Sequence, residues 1–274
     1  MAHTLQERYS QLVDIKLRAE LVKKDGVVFN NRYEGDPKAG TVKIPVRDTE
    51  VKVGDYNKVS GAAATTGETA YVDLALDKDK AINEIIDGFD AAAVPDNLVA
   101  DRLDSGSYSM ALQIENDATA CLEAGATTFG DTTALTKESI YDTLVDMRTA
   151  LSKKHVPKLG RFALLSCDAY ALILKSPEFT KASDLGDEVV QSGIQGRCAG
   201  FNIIEDATLS ATTDVIAGHP NWCSRVHEWA VPVHLQDING SGKFIGASAV
   251  QGRKIYGHKV TKPATLLIKK NAGK

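Results

Sequence analysis

His219, Cys223 and His227 recur at four-residue intervals in HPNWCSRVH, a spacing that on a helix would aim two imidazoles and a thiolate at one divalent metal. Structural zinc takes four ligands, and the fourth would have to be Cys198 or His234, brought in by folding. Pro220 also breaks any helix that would carry His219 together with the other two. Buried cysteine and surface histidine are the plainer account, and no metal ligand is assigned. In DINGSGKF, Asp237, Asn239 and Ser241 have calcium-loop spacing and Gly242 stands at the sharp turn, but Ser248 occupies the position that needs a bidentate acid. A β-hairpin turn fits better. Gly242 and Lys243 lack the rest of a phosphate-cradling loop, and Gly193, Gly196 and Gly200 match a dinucleotide fingerprint only by slipped spacing, so they are assigned to turns. Cys167 beside Asp168 has no basic neighbour to activate it and is expected to be a buried structural thiol. His155 follows Lys153 and Lys154 in what should be a solvated loop. No nucleophile, base and orienting group converge, so no catalytic residue and no cofactor-binding residue is assigned, and the chain is not expected to be an enzyme.

The elements around these residues belong to a chain of 274 residues, long enough to bury a core without staples. Its 43% hydrophobic and 25% charged residues argue against disorder throughout. A net charge of -4 disfavours tight nucleic-acid binding but allows proximity to a contained polymer. Cys121, Cys167, Cys198 and Cys223 are scattered without a disulfide framework, which fits a reducing compartment. No apolar run approaches the ~20 residues that span a bilayer, so no membrane partner is expected.

Leu5, Tyr9, Leu12, Val13 and Leu17 lie at helical spacing and predict an amphipathic N-terminal helix. An extended segment around Val27 to Phe29 leads through a turn at Asp36, Pro37 and Gly40 to a strand at Val42, Ile44 and Val46. From Asp48 to Lys80, Val51 and Val53 form one arm and Val72, Leu74 and Leu76 the other arm of a long hairpin, with a small-residue tip from Gly61 to Gly67. Such a hairpin is marginal by itself and calls for a partner surface. Pro95 to Ala124 predicts a helix about 45 Å long, stopped by Gly125, with a narrow stripe of Val99, Leu103, Met110, Ile114, Cys121 and Leu122. Gly106, Ser107 and Ser109 are expected to weaken its middle. Beyond it come a helix capped by Thr136, a buried strand from Phe162 to Leu165 and a short helix from Asp168 to Lys175 ended by Pro177. Strands follow at Phe201 to Ile204, Asp214 to Ala217 and Val231 to Leu235, with a helical segment near Asn221 to Glu228 and extended chain from Gly246 to Ile268.

The order GTVKIPV, VKVGDY, the small-residue loop, AYVDLALDKDK and INEIIDGFDAAAVP before the long helix resembles the major capsid proteins of tailed bacteriophages, which share the Hong Kong 97 fold. RFALLSCDAYALIL, VVQSGIQGRCAGFNIIED, VIAGHPNWCSRVHEW and GRKIYGHKVTKPATLLI continue the resemblance over essentially the whole chain. It implies an α+β architecture: an N-terminal arm at residues 1–24, a discontinuous peripheral domain at 25–47, 81–126 and 252–274 with a spine helix, an extended loop at 48–80, and an axial domain at 127–251. The implied function is self-assembly, as hexamers and pentamers, into an icosahedral shell around double-stranded DNA. Implied partners are a portal, a decoration protein in some relatives and a separate scaffolding protein, since only a short helix precedes the arm. The implied location is the virion, assembled in the host cytoplasm. Some relatives join a loop Lys to a neighbour's Asn; Lys52 and Lys58 are available, but nothing identifies the acid that reaction needs. Two other readings are an encapsulin-like nanocompartment shell and a soluble α/β enzyme built on Cys167 or the His219/Cys223/His227 region.

Overall fold

A computed structural model describes residues 16–33, 40–46, 50–51, 53–62, 66–67, 69–89, 98–176, 196–239 and 243–272. Most of the expected N-terminal helix, the turn at Asp36 and Pro37, the helix start at Pro95, Pro177 and Gly193 lie outside those residues; Leu17, the last residue of that helical stripe, lies in irregular chain and is fully exposed.

The described strands form three sheets. The largest has six strands in the order β4-β11-β8-β5-β7-β6, built from β4 (Thr127–Thr128), β5 (Phe162–Leu165), β6 (Arg197–Cys198), β7 (Phe201–Glu205), β8 (Thr213–Gly218) and β11 (Leu267–Lys270). Every residue of β5 is buried, because both faces of the sheet are covered. Strand alternation sorts its side chains between two cores. Ala163 and Leu165 face Ile140, Leu144, Met147 and Leu151 of α2 (Ser139–Lys153) and Tyr170 and Ile173 of α3 (Cys167–Leu174). Phe162 and Leu164 join Val28, Phe29, Ala118, Leu122, Ile216 and Ile268 on the other side. Thr136 Oγ1 accepts the N–H of Ser139 at 3.2 Å, as the cap reading expects. Ser166, two residues before the expected start at Asp168, caps α3 by accepting the N–H of Ala169. Arg161, 1% exposed, donates to the carbonyls of Arg148, Val156 and Pro157 and so ties α2 to the loop that follows it from inside the protein.

The second sheet has the order β3-β10-β9, with β3 (Lys78–Asp87) and β9 (Cys223–Asp237) both antiparallel to β10 (Ala247–Val260). The segment from Asn221 to Glu228 is therefore not helical. A single 3-10 turn at Pro220–Trp222 passes directly into β9, where Cys223 and Val226 are buried; the four-residue spacing that suggested a helix there also suits one face of a strand. The C-terminal segment serves both of these sheets, since β10 stays in the three-stranded sheet and β11 pairs with β8 in the six-stranded one.

Helix α1 (Leu98–Gly125) crosses the three-stranded sheet for about 42 Å and ends over the six-stranded one. Ile114 and Leu122 are buried as the stripe requires, but Gly106, Glu115, Ala118 and Thr119 are buried with them. The explanation for Gly106 is contact rather than weakness: a Cβ there would lie 3.3 Å from Val233 and 3.5 Å from Val250, so its absence lets the helix settle onto β9 and β10. Arg102 donates to both carboxylate oxygens of Glu84 at 2.8 and 2.7 Å, and Tyr256 Oη donates to Asp117 at 2.6 Å, tying the helix to β3 and β10.

β1 (Thr41–Val46) and β2 (Ala70–Ala75) form a separate two-stranded antiparallel ribbon in which Ile44 pairs with Val72 and Val42 with Leu74. The arm expected around Val51 and Val53 is corrected here: β2 pairs with Thr41–Val46, and the two valines lie outside any strand at 87% and 98% exposure. The register follows burial, because Ile44 and Leu74 meet Val226 of β9 in a small core while Val51 and Val53 stay exposed.

Candidate assembly surfaces

The residues of the chemical motifs are spread over separate parts of the described fold. His219 sits before the 3-10 turn, its Nε2 2.9 Å from the carbonyl of Leu159 and its Nδ1 accepting the N–H of Asn221. Cys223 is 1% exposed and burial pushes its thiol far up. Cys198 lies in β6 and His234 in β9, in different sheets, and no metal-holding group of His, Cys, Asp or Glu occurs among the described residues. Asp237 ends β9 and Asn239 lies in the connection to β10, with Asp237 Oδ1 accepting the N–H of Asn239; Ser241 and Gly242 are outside the described residues. Gly200 follows Ala199 in the tight turn between β6 and β7, both at positive φ, as its assignment to a turn expects. His155 also has positive φ at the end of α2, and it is exposed. Cys167 departs from expectation because it is exposed; partial burial and the neighbouring Glu205 raise its thiol, the opposite of what a nucleophile needs.

What the structure does assemble is a set of surfaces. Residues 16–24 run alongside α1. Lys16 meets Asp101 at 2.7 Å, Arg18 pairs with Asp104, Tyr108 Oη accepts the N–H of Ala19, and Glu115 Oε1 accepts the N–H groups of Val22 and Lys23 at 3.0 and 2.8 Å. Lys23 then turns inward. Its ammonium, with no exposed side-chain surface, pairs with Asp206, donates to Thr208 at 2.7 Å and lies 3.5 Å from Glu115. Sequence reasoning missed this anchor, because buried charges far apart in the chain leave no local pattern.

At the other extreme, the chain between β1 and β2 exposes Val51, Val53, Tyr56 and Val59, with Tyr71 at 63% on β2. Lys58 is exposed there too, within the turn closed by Asn57 and Gly61; Lys52 lies outside the described residues. A second apolar group, Phe89, Phe244 and Ile245, is exposed at the end of the three-stranded sheet where Asp87 pairs with Ala247. Clusters of this kind on one subunit mark surfaces made for contact.

A second buried group lies under the ribbon. Arg225 Nε donates to His258 Nε2 at 3.1 Å, and its guanidinium stacks over Phe29. His258 and His227 flank Tyr256 edge-on. Burial and neighbouring Arg225 push His258 down from 6.5 to about 3; burial, Lys254 and Arg225 push His227 down to about 4. Both imidazoles are neutral in the folded subunit when the unfolded chain has begun to protonate, so their linkage removes stability as pH falls from about 6.5 toward 4. The urea midpoint of the unassembled subunit should therefore fall across that window. His258→Gln should flatten the decline; an unchanged slope would show that His258 does not contribute to it.

A family profile described as phage capsid protein matches residues 85–263. The chain belongs to that family. This capsid protein also shares its fold with solved shells. A chain from Mycobacterium phage Che8 superposes with a TM-score of 0.83 at 20% identity, covering 98% of each chain. The capsid of cyanophage P-SCSP1u gives 0.78 at 10% identity, covering 98% of this chain and 93% of the other. The mature capsid of bacteriophage PhiM1 gives 0.74 at 13% identity, covering 98% and 92%. No curated protein matches. The capsid protein thus has the expected α+β, Hong Kong 97-like fold of a tailed-phage major capsid protein, which builds an icosahedral shell and is structural rather than catalytic.

Proposed function

We propose that this capsid protein encloses double-stranded DNA as hexamers and pentamers, assembling in the host cytoplasm on a separate scaffolding protein and around a portal. Residues 1–24 act as the arm and 48–80 as the loop that overlaps a neighbour, in the division the family resemblance implies. Because β9 pairs with β10, we place Cys223–Asp237 with the peripheral body, and because β11 pairs with β8, Leu267–Lys270 with the axial body. The observation that carries the reading is the exposed Val51, Val53, Tyr56 and Val59 on a stretch held at its base by only three buried side chains. Burying a valine contributes about 1.5 kcal/mol or more, and a shell repeats each contact in every copy. A net charge of -4 on each chain suits non-specific containment of a polyanion rather than grip.

The test is to replace residues 50–67 by a short Gly-Ser turn. The shortened subunit should keep wild-type circular dichroism and melting, because none of the described residues of that stretch belongs to a buried core, yet form no particles by negative-stain microscopy with or without scaffold. Particles of normal size from the shortened chain would overturn the assigned role of the loop.

A further inference from the structure

A cleft of about 400 Å³ opens where residues 21–25, the middle of α1 and the centre of the three-stranded sheet meet. Its polar lining is Lys23, Lys24, Asp25, Glu115, Arg225, His227 and Lys254, with the Lys23 ammonium already paired to Asp206. The two acids are already engaged. Glu115 Oε1 accepts two backbone N–H groups and faces Lys23, and Asp25 Oδ1 lies 3.4 Å from Arg225 Nη1. The remaining cations are not matched in the same way. Arg225 is 7% exposed, and its Nη2 is buried with no hydrogen-bond partner; His227 Nδ1 is also buried without one. Lys254 is half-buried and makes no ion pair among the described residues, and burial with the Arg225 charge lowers its affinity for a proton. Arginine cannot relieve its burial by losing a proton, so an unpartnered guanidinium nitrogen in a positively charged cleft calls for an acceptor from outside.

We propose that this cleft is an oxyanion site, in which Arg225 and His227 donate hydrogen bonds to a carboxylate or phosphate and Lys254 supplies the balancing charge. A planar or tetrahedral oxyanion presents several acceptors close together, which matches two donors two residues apart on one face of β9, and chloride does not. The ligand has two sources with one chemistry: free phosphate, or a carboxylate side chain of a second copy of this chain. The site itself does not depend on shell assembly; only the second source does.

Thermal melting of the full-length chain in potassium phosphate and in potassium chloride of equal ionic strength, at pH 7.5, tests it. Phosphate should raise the midpoint saturably where chloride does not, and Lys254→Met should raise the half-saturating phosphate concentration about tenfold. Lys137→Met, at an exposed position on another surface, should leave it unchanged. Arg225 is too buried to serve as the only variant, so Lys254→Met carries the test. Equal effects of chloride and phosphate, or a wild-type response in Lys254→Met, would overturn the proposal and leave an adventitious ion only. The same titration on assembled shells separates the sources: a retained response assigns the site to free phosphate, and a response present in the subunit but lost in the shell assigns it to a neighbour's carboxylate.

Discussion

Asp206→Ala should destabilise the unassembled subunit by about 3–5 kcal/mol, measured as a shift in the urea midpoint, because it strands the ammonium of Lys23 inside the protein. The Lys23 side chain has no exposed surface, and Asp206 is its closest charge partner, with Glu115 more distant at 3.5 Å. Asp206 also accepts from the N–H and hydroxyl of Thr208 at 2.9 and 2.7 Å, so the same change frees the group that holds Lys23 from its other side. The damage should spread to the arm. Lys23 N–H and Val22 N–H are fixed by Glu115, and once the ammonium seeks water those bonds must open with it. Limited proteolysis should then cut near Lys23 and Lys24 in the variant and not in the wild type. The double change Lys23→Met with Asp206→Leu should recover most of the loss, because it removes both charges together. A single-variant cost under about 1 kcal/mol would mean that the pair does not anchor the arm.

Gly257→Ala should cost about 3 kcal/mol, toward the upper end for overpacking, and should loosen the ribbon rather than the sheet. A Cβ at Gly257 would stand 2.3 Å from the carbonyl oxygen of Ala75 and 2.9 Å from Leu74 Cδ2. The first obstacle is backbone, which has no rotamer to escape into. The ribbon would have to lift from β10, and the core of Ile44, Leu74 and Val226 would open to water. Melting of the subunit, together with faster proteolysis between residues 40 and 76, reads both consequences. Gly54→Ala is the matched control, since nothing lies within 4 Å of its added methyl. If the two variants melt alike, the contact between Gly257 and Ala75 does not hold the ribbon down.

Legibility of the chain tracked how local each cause was. Ile140, Leu144, Met147 and Leu151 mark α2 because a single helical face meets a single sheet, and Phe162–Leu165 reads as a strand because both faces are covered by apolar layers. The start of β9 was misread, since Cys223 and His227 four residues apart satisfy a helix as well as one face of a strand, and nothing nearby breaks the tie. Val51 and Val53 alternate as a strand should, yet pairing depends on where burial is available, and that is fixed by Val226 far along the chain. Arg161 and the Lys23, Glu115 and Asp206 group were invisible for the same reason: their partners exist only after folding. Gly106 was noticed, but its purpose lies in Val233 and Val250, not in its own helix.

The ribbon of β1 and β2 is joined to β3 by Leu76 and Asp77 and seated on Gly257. Six paired residues reach about 20 Å from that seat, so a tilt of about 10° at the root would sweep the outer end through about 3.5 Å. The seat therefore works as a fulcrum. Changes too small to disturb any packed layer of the body could still be delivered to an adjoining copy as a displacement comparable to one residue's rise along a strand.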